Sequence, residues 1–151
     1  MKKIMVFNLA FMLLVCFNNA NAQDYRSALG VRLSSSPAVV NNSVSFKYFT
    51  SESLALEALL TFSDPVAIGL LFEKHRPFGA EGLQWFYGGG GYVGFGGNTN
   101  VGGMGIIGLD YKFTNVPLNL SLDWKPELNV ISDINFEPAA IGFSARFTFG
   151  R

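Results

Sequence analysis

The sequence predicts an all-β protein, an eight-stranded antiparallel up-and-down transmembrane β-barrel. Three observations support this prediction. Apolar and small or polar residues alternate with a period of two along most of the chain beyond residue 22, which is typical of strands. Turn-forming residues interrupt the alternation at regular intervals. Charged residues within the alternating runs lie opposite the bulky apolar ones, and the low charged fraction of 15% with 15% aromatics excludes a disordered chain.

The first 22 residues indicate a secretory signal peptide. Two lysines precede an apolar segment, residues 4–17, and Ala20-Asn21-Ala22 matches the small-x-small cleavage pattern. This segment is shorter than the ~20 apolar residues of a transmembrane helix, although a short anchor helix is the alternative. We therefore assign residues 1–22 to the signal peptide and residues 23–151 to the barrel. The single cysteine lies in the signal, so no disulfide is expected in the barrel.

Four predicted strands occupy the first part of the barrel region. Pro37 with Asn41-Asn42, then Ser51-Glu52, then Asp64-Pro65 end one alternating run and begin the next. The third run has some helical propensity, but its alternation predicts a strand. The apolar members of the runs are Leu29, Val31 and Leu33; Val44, Phe46 and Tyr48; Leu54, Leu56, Ala58, Leu60 and Phe62; and Val66, Ile68, Leu70 and Phe72.

Four more predicted strands follow a break at residues 77–82. Further breaks at residues 96–100, 115–117 and 126–138 separate them, and the last break is predicted to be the longest loop. The apolar members of these runs are Leu83, Trp85, Tyr87, Val93 and Phe95; Ile107, Leu109, Tyr111 and Phe113; Leu118, Leu120, Leu122 and Trp124; and Ile141, Phe143, Ala145, Phe147 and Phe149.

Ten charged residues within these runs share the face opposite the bulky apolar residues. A random distribution over two faces would seldom place all ten on one face. One face of each strand is therefore large and apolar, and the other is small, glycine-rich or charged. The ten residues are Arg26, Arg32, Lys47, Glu57, Glu73, Asp110, Lys112, Asp123, Lys125 and Arg146.

Alternation alone fits two kinds of barrel. A soluble ligand-binding barrel places its apolar face inward, whereas a membrane barrel turns that face to lipid and fills its lumen with polar side chains. The chain length fits eight membrane-spanning strands of ~9–11 residues with mostly short connections. Buried charges must pair, so we expect a lumen network with Asp110 and Asp123 close to Arg146 or Arg32. We interpret the network as structural filling; the alternative is a charged ion path.

Aromatic residues provide a further argument for the membrane barrel. When the strands run alternately up and down, eight aromatic residues fall at the same rim, as in an interfacial girdle. This set is Tyr25, Tyr48, Phe72, Trp85, Tyr111, Phe113, Phe147 and Phe149.

Two segments resemble a known family. The ending Phe143-Ser-Ala-Arg-Phe147-Thr-Phe149 resembles the C-terminal strand of Gram-negative outer-membrane β-barrels, although Gly150-Arg151 follows the final aromatic. Residues 105–126 resemble small outer-membrane proteins of the OmpA/OmpX-like type. The resemblance implies a cell outer-membrane location, with the rim where the first strand starts on the periplasmic side. It also implies outer-membrane lipid and the barrel-assembly machinery as partners, the latter through the C-terminal strand.

The expected role is structural or envelope-associated, without catalysis or a cofactor, in a monomer. A narrow porin-like channel for ions or small solutes is the first alternative. A zero net charge without a basic run argues against nucleic-acid binding. The glycine-rich region, residues 88–103, lacks the lysine and the strand-turn-helix context of a phosphate loop, so it is expected to let the sheet curve.

Two further alternatives are a small lipid-modifying barrel enzyme and a soluble ligand-binding barrel. Lipid-modifying barrels use a His-Ser pair, and His75 is the only histidine of the chain. It lies between Lys74 and Arg76 at a predicted strand end, so we expect an interfacial histidine rather than a catalytic one. A single histidine also provides no histidine cluster for a metal.

Overall fold

A computed structural model of the protein describes residues 25–35 and 37–150. The predicted signal peptide, residues 1–22, lies outside the described residues. No α-helix that could span a bilayer occurs in the described part of the chain.

The described chain forms ten β-strands, and every predicted strand is among them, including the third. Turns lie at the predicted breaks, most of which carry Pro, Gly, Asn or Asp. The turn between β2 and β3 consists of Thr, Ser and Glu instead. The strands are β1 (Ser27–Ser34), β2 (Ser43–Phe49), β3 (Leu54–Thr61), β4 (Val66–Pro77), β5 (Leu83–Phe95), β6 (Asn100–Lys112), β7 (Leu118–Trp124), β8 (Glu127–Asn129), β9 (Asn135–Glu137) and β10 (Ile141–Phe149).

The sheet closes into an eight-stranded antiparallel barrel with up-and-down connections, which confirms the predicted fold. Neighbours in sequence pair from β1 to β7, β10 pairs with β7, and β10 also pairs with β1 to close the ring. Closure leaves the eight strands without a free edge, so their backbone groups are paired without a helix or a second sheet.

The register around the ring is staggered. From Arg32, the paired residues can be followed from strand to strand around the ring in both directions. One direction leads through Ser43, Thr61 and Ala67 to Gly94, and the other leads through Ser144, Ser121 and Asp110 to Gln84. Both paths end on β5, at residues ten positions apart. Such a shift along one strand means that the strands tilt about 35–45° from the barrel axis.

The structure corrects the prediction of a long loop at residues 126–138. Most of it is a hairpin, in which β8 pairs with β6 beyond the end of β7 and β9 pairs with β8. Pro126 and Pro138 interrupt the hydrogen-bond ladders, because proline lacks the N–H donor that a ladder needs. The chain nevertheless continues in the same direction past each proline. Only residues 130–134 form the connecting turn.

The strands have unequal lengths. The neighbours β1, β2 and β3 have 8, 7 and 8 residues, whereas β4, β5 and β6 have 12, 13 and 13. The wall formed by β4, β5 and β6 is therefore taller than the wall formed by β1, β2 and β3.

Bulky apolar side chains face outward, and charged and small side chains face inward. Along β2 the burial alternates strictly, with Ser43, Ser45 and Lys47 buried between exposed apolar residues. On β4 Phe72 is 61% exposed while its neighbour Glu73 is 2% exposed. The exterior of the barrel is thus apolar, and ten of the acidic, basic and histidine side chains that the structure describes are buried in the lumen.

Candidate functional site: the lumen and its mouth

Eight of the ten charged residues that the sequence placed in the lumen are buried there. Neighbouring strands bring their side chains together in two groups, one near mid-height and one near the mouth where β1 ends. The eight are Arg32, Lys47, Glu57, Glu73, Asp110, Asp123, Lys125 and Arg146.

Two of the ten do not join the lumen, and this corrects the prediction. Arg26 precedes β1 and is exposed, with its guanidinium 5.9 Å from the ring centre of Tyr48 on the outer surface. Lys112 ends β6 half-buried, and its ammonium donates to the carbonyls of Phe113 and Val116 in the following turn. Both residues lie at a strand end, where the alternation no longer fixes the direction of a side chain.

Arg146 is the centre of the mid-height group. Its guanidinium donates to Ser45 Oγ at 2.6 Å, to Ser121 Oγ at 2.8 Å and to the Glu57 carboxylate. It also donates to Asn119 Oδ1 at 3.2 Å. Each nitrogen of the buried guanidinium thus donates at least one hydrogen bond, and such bonds help to keep a charge in a low-dielectric interior.

Lys47 connects the acids of the same group. Its Nζ lies 2.8 Å from Glu73 Oε2, 3.8 Å from Glu57 Oε2 and 3.9 Å from Asp110 Oδ1. Asp110 accepts from Asn119 at 2.9 Å and reaches Arg146 only through that amide. The expected contact of Asp110 with an arginine is therefore indirect.

The second group begins with Arg32 and Asp123, which pair as one of the expected combinations. Arg32 donates from Nε to Oδ2 at 3.2 Å and from Nη2 to Oδ1 at 2.5 Å. Lys125 and Glu127 form an ion pair beside them. Sequence reasoning missed Glu127 because it lies in the segment expected to be a loop.

Glu127 and Lys125 hold a segment that closes the mouth. The backbone N–H groups of Val39 and Val40 donate to the Glu127 carboxylate at 3.0 and 3.2 Å, and Lys125 Nζ donates to the Val40 carbonyl at 3.0 Å. Ala38 and Val40 are buried. The connection between β1 and β2 thus folds into the barrel as a plug, which we define as residues 37–40, clamped by one acid and one base.

The plug rests on an apolar cluster on the β3 to β6 side of the lumen. Besides Val40, the cluster contains Leu59, Ala67, Leu71, Phe86, Tyr92, Met104 and Ile106. The lumen is therefore filled both by charged pairs and by apolar packing, and the two meet where Lys47 Nζ lies 4.5 Å from the centre of the Phe86 ring.

His75 lies inside the barrel rather than at the interface, which corrects the prediction. Its ring stacks on Phe86 with centroids 5.0 Å apart and meets Phe49 edge-on at 4.9 Å. Its Nε2 lies 2.9 Å from Glu73 Oε2. Its neighbours Lys74 and Arg76 lie on the outward face of β4. His75 is one position away from each, so it points inward by the ordinary alternation of a strand.

The predicted aromatic girdle is placed as follows. Tyr48, Phe72, Phe147 and Phe149 are exposed on the outer surface, and Trp85, Tyr111 and Phe113 are partly exposed near the same end of the barrel. Tyr25 differs, because its ring is buried edge-on against Phe49 at 5.3 Å. Burial raises the pKa of the Tyr25 hydroxyl well above its ordinary value.

The polar part of the lumen offers hydrogen bonding and charge pairing. No group of three or more metal-ligating side chains occurs among the described residues. Each buried acid among the described residues lies within 4 Å of a buried lysine or arginine, and five such acids share four such bases.

The comparisons with known proteins add no family to this geometry. No family model, no curated protein and no solved structure matches the chain.

Proposed function

We propose that the protein is an integral outer-membrane β-barrel with a structural or envelope-associated role and no catalytic activity. The observation that carries the proposal is the orientation of the strands. Bulky apolar side chains cover the outside of a closed barrel, whereas the charged side chains are buried within it. A soluble monomer seldom exposes an apolar patch larger than a few hundred Å², and a lipid-facing barrel requires one.

The filled lumen supports a structural role over the porin-like channel. The plug closes one mouth, and the charged pairs and the apolar cluster occupy the interior. In planar bilayers the purified protein should therefore show no steady conductance. A stable open level for small ions in the unmodified protein would favour the channel instead.

The inward position of His75 argues against a lipid-modifying enzyme. A catalytic histidine needs access to its substrate, and His75 is enclosed by Phe49, Phe86 and Glu73. His75→Ala should leave the composition of outer-membrane lipid unchanged in producing cells. A changed acylation pattern would contradict the proposal.

The proposal also includes the partners of the barrel and its route of export. Outer-membrane lipid would surround the barrel, the barrel-assembly machinery would recognise the C-terminal strand, and the signal peptide would direct export. A monomer is proposed because the ring closes within one chain. The soluble ligand-binding alternative needs an apolar interior and a polar exterior, which is the opposite of the observed orientation.

Cell fractionation tests the location directly. The protein should be found in the outer-membrane fraction and should change its gel mobility between unboiled and boiled samples, because a closed barrel resists unfolding by detergent until heated. Recovery in the soluble fraction with no mobility shift would overturn the proposal.

A further inference from the structure

The two ends of the barrel differ in their exposed charges. Four of the described basic residues are outside the lumen, and all four lie at the end where β1 begins. The end where β1 ends carries acids and, among the residues that the structure describes, no exposed base. The bases are Arg26, Lys74, Arg76 and Lys112; the acids at the opposite end are Asp64, Asp133 and Glu137. Two exposed acids, Glu52 and Glu81, lie in turns at the basic end, so the bases outnumber the acids there by four to two.

Three of these bases each lie beside an outward aromatic ring. Arg26 lies over Tyr48. Arg76 is the direct cross-strand partner of Trp85, and Lys74 is the partner of Tyr87. Lys74 and Arg76 extend from β4 on the same face as the exposed apolar residues, beyond Phe72 toward the end of the strand.

We propose that this rim, defined by Arg26, Lys74 and Arg76 with their aromatic neighbours, binds the headgroup phosphates of anionic glycerophospholipids. The inference rests on the proposed membrane location and deepens it. Tyr and Trp favour the boundary between acyl chains and headgroups, and a long basic side chain beside them reaches the phosphate while its stem stays on apolar surface. Anionic lipid attracts Lys and Arg near the surface, which gives the charge complementarity.

The acidic end would lack this preference. Asp64 and Asp133 lie in turns at that end, and exposed carboxylates repel anionic headgroups. The charge asymmetry therefore predicts that anionic lipid gathers around one end only, which for a first strand starting on the periplasmic side is the periplasmic leaflet.

The two tryptophans of the chain report on the two regions separately. Trp85 lies in the basic rim beside Arg76, and Trp124 is the last residue of β7, away from that rim. Trp124→Phe leaves Trp85 as the only tryptophan, and Trp85→Phe leaves Trp124. Each variant is folded into vesicles of phosphatidylcholine and phosphatidylglycerol, in which one lipid at a time carries brominated acyl chains that quench nearby tryptophan.

Trp85 should show a preference for phosphatidylglycerol over phosphatidylcholine on the order of fivefold, and Trp124 should show none. The combined change Lys74→Gln and Arg76→Gln should bring the Trp85 preference to about one, as should ~1 M salt, because salt screens exposed charges. Asp133→Asn at the opposite end is the matched control and should leave the preference intact.

The outcomes separate the two proposals. Equal quenching of Trp85 by both brominated lipids would overturn the headgroup site while leaving the membrane location in place. No quenching of either tryptophan by either lipid would overturn both. A preference that survives the removal of Lys74 and Arg76 would show that the two bases do not bind the headgroup.

Discussion

Arg32 and Asp123 pair across a strand that lies between them. Arg32 is on β1 and Asp123 is on β7, and β10 separates the two strands. On β10 Asp123 pairs with Gly142, whereas Arg32 pairs with Ser144, two residues further along the strand. A Cβ on Gly142 would lie 2.1 Å from Arg32 Nη2. The arginine side chain therefore passes over the glycine, and the pair exists because position 142 has no side chain.

Gly142→Ala should consequently break the pair. Separating a buried ion pair typically costs about 3–5 kcal/mol, and partial relaxation of the arginine would place the loss in the free energy of unfolding at ~2–4 kcal/mol. Urea unfolding in vesicles measures it. Gly103→Ala is the control, because the nearest atom to its Cβ is 3.7 Å away. Equal effects of the two changes would contradict this account of Gly142.

Arg146 and Glu57 should behave as a coupled pair. Arg146→Met leaves Glu57 buried without its main partner and should reduce the free energy of unfolding by about 3–5 kcal/mol. Adding Glu57→Gln should recover part of that loss, since the second change removes the uncompensated charge. A double-mutant cycle measures the coupling, and additive effects would exclude it.

The plug should loosen when its clamp is removed. Glu127→Ala deletes the acceptor of the Val39 and Val40 amides, so hydrogen exchange at these two amides should accelerate by about tenfold or more. Exchange in β2 and β3 should stay slow. Asp133→Ala, an exposed acid in the neighbouring turn, serves as the control and should not change the two valines.

A charge introduced on the outer face should destabilise the barrel, as it does on a lipid-facing surface. Leu70 is an exposed residue on β4, away from both strand ends, and Leu70→Arg should cost ~2–4 kcal/mol in vesicles. Val116→Arg, in an exposed turn, should cost less than about 1 kcal/mol. If the two substitutions have equally small effects, the apolar exterior does not face lipid.

The strands and their facing could be predicted because both depend on local alternation. A strand in a closed barrel has one buried face, so its period of two appears directly in residues such as Ser45, Phe46 and Lys47. The same logic placed eight lumen charges correctly. It included the Arg32–Asp123 pair among the expected contacts but not the partners of Asp110. These are Lys47 on β2, across the lumen, and Asn119 on the neighbouring strand β7.

Apart from His75, which lies within the ladder of β4, the errors lie where the chain leaves the regular ladder. Arg26 and Lys112 are at strand ends, and the loop expected at residues 126–138 is a proline-interrupted hairpin. No pattern in residues 37–40 predicts that the plug folds into the lumen. It depends on Glu127, which lies 88 residues from Val39 in sequence, and a period-based reading does not detect contacts of that kind.

The unequal strand lengths have a mechanical consequence for a barrel held in a bilayer. At the tilt that the register implies, eight residues rise about 20 Å along the axis and thirteen rise about 33 Å. One flank is thus shorter than a hydrocarbon layer and the opposite flank is longer. A bilayer of uniform thickness would have to become thinner beside β1 to β3, or the whole barrel would have to tilt. The protein would therefore deform the lipid around it unevenly.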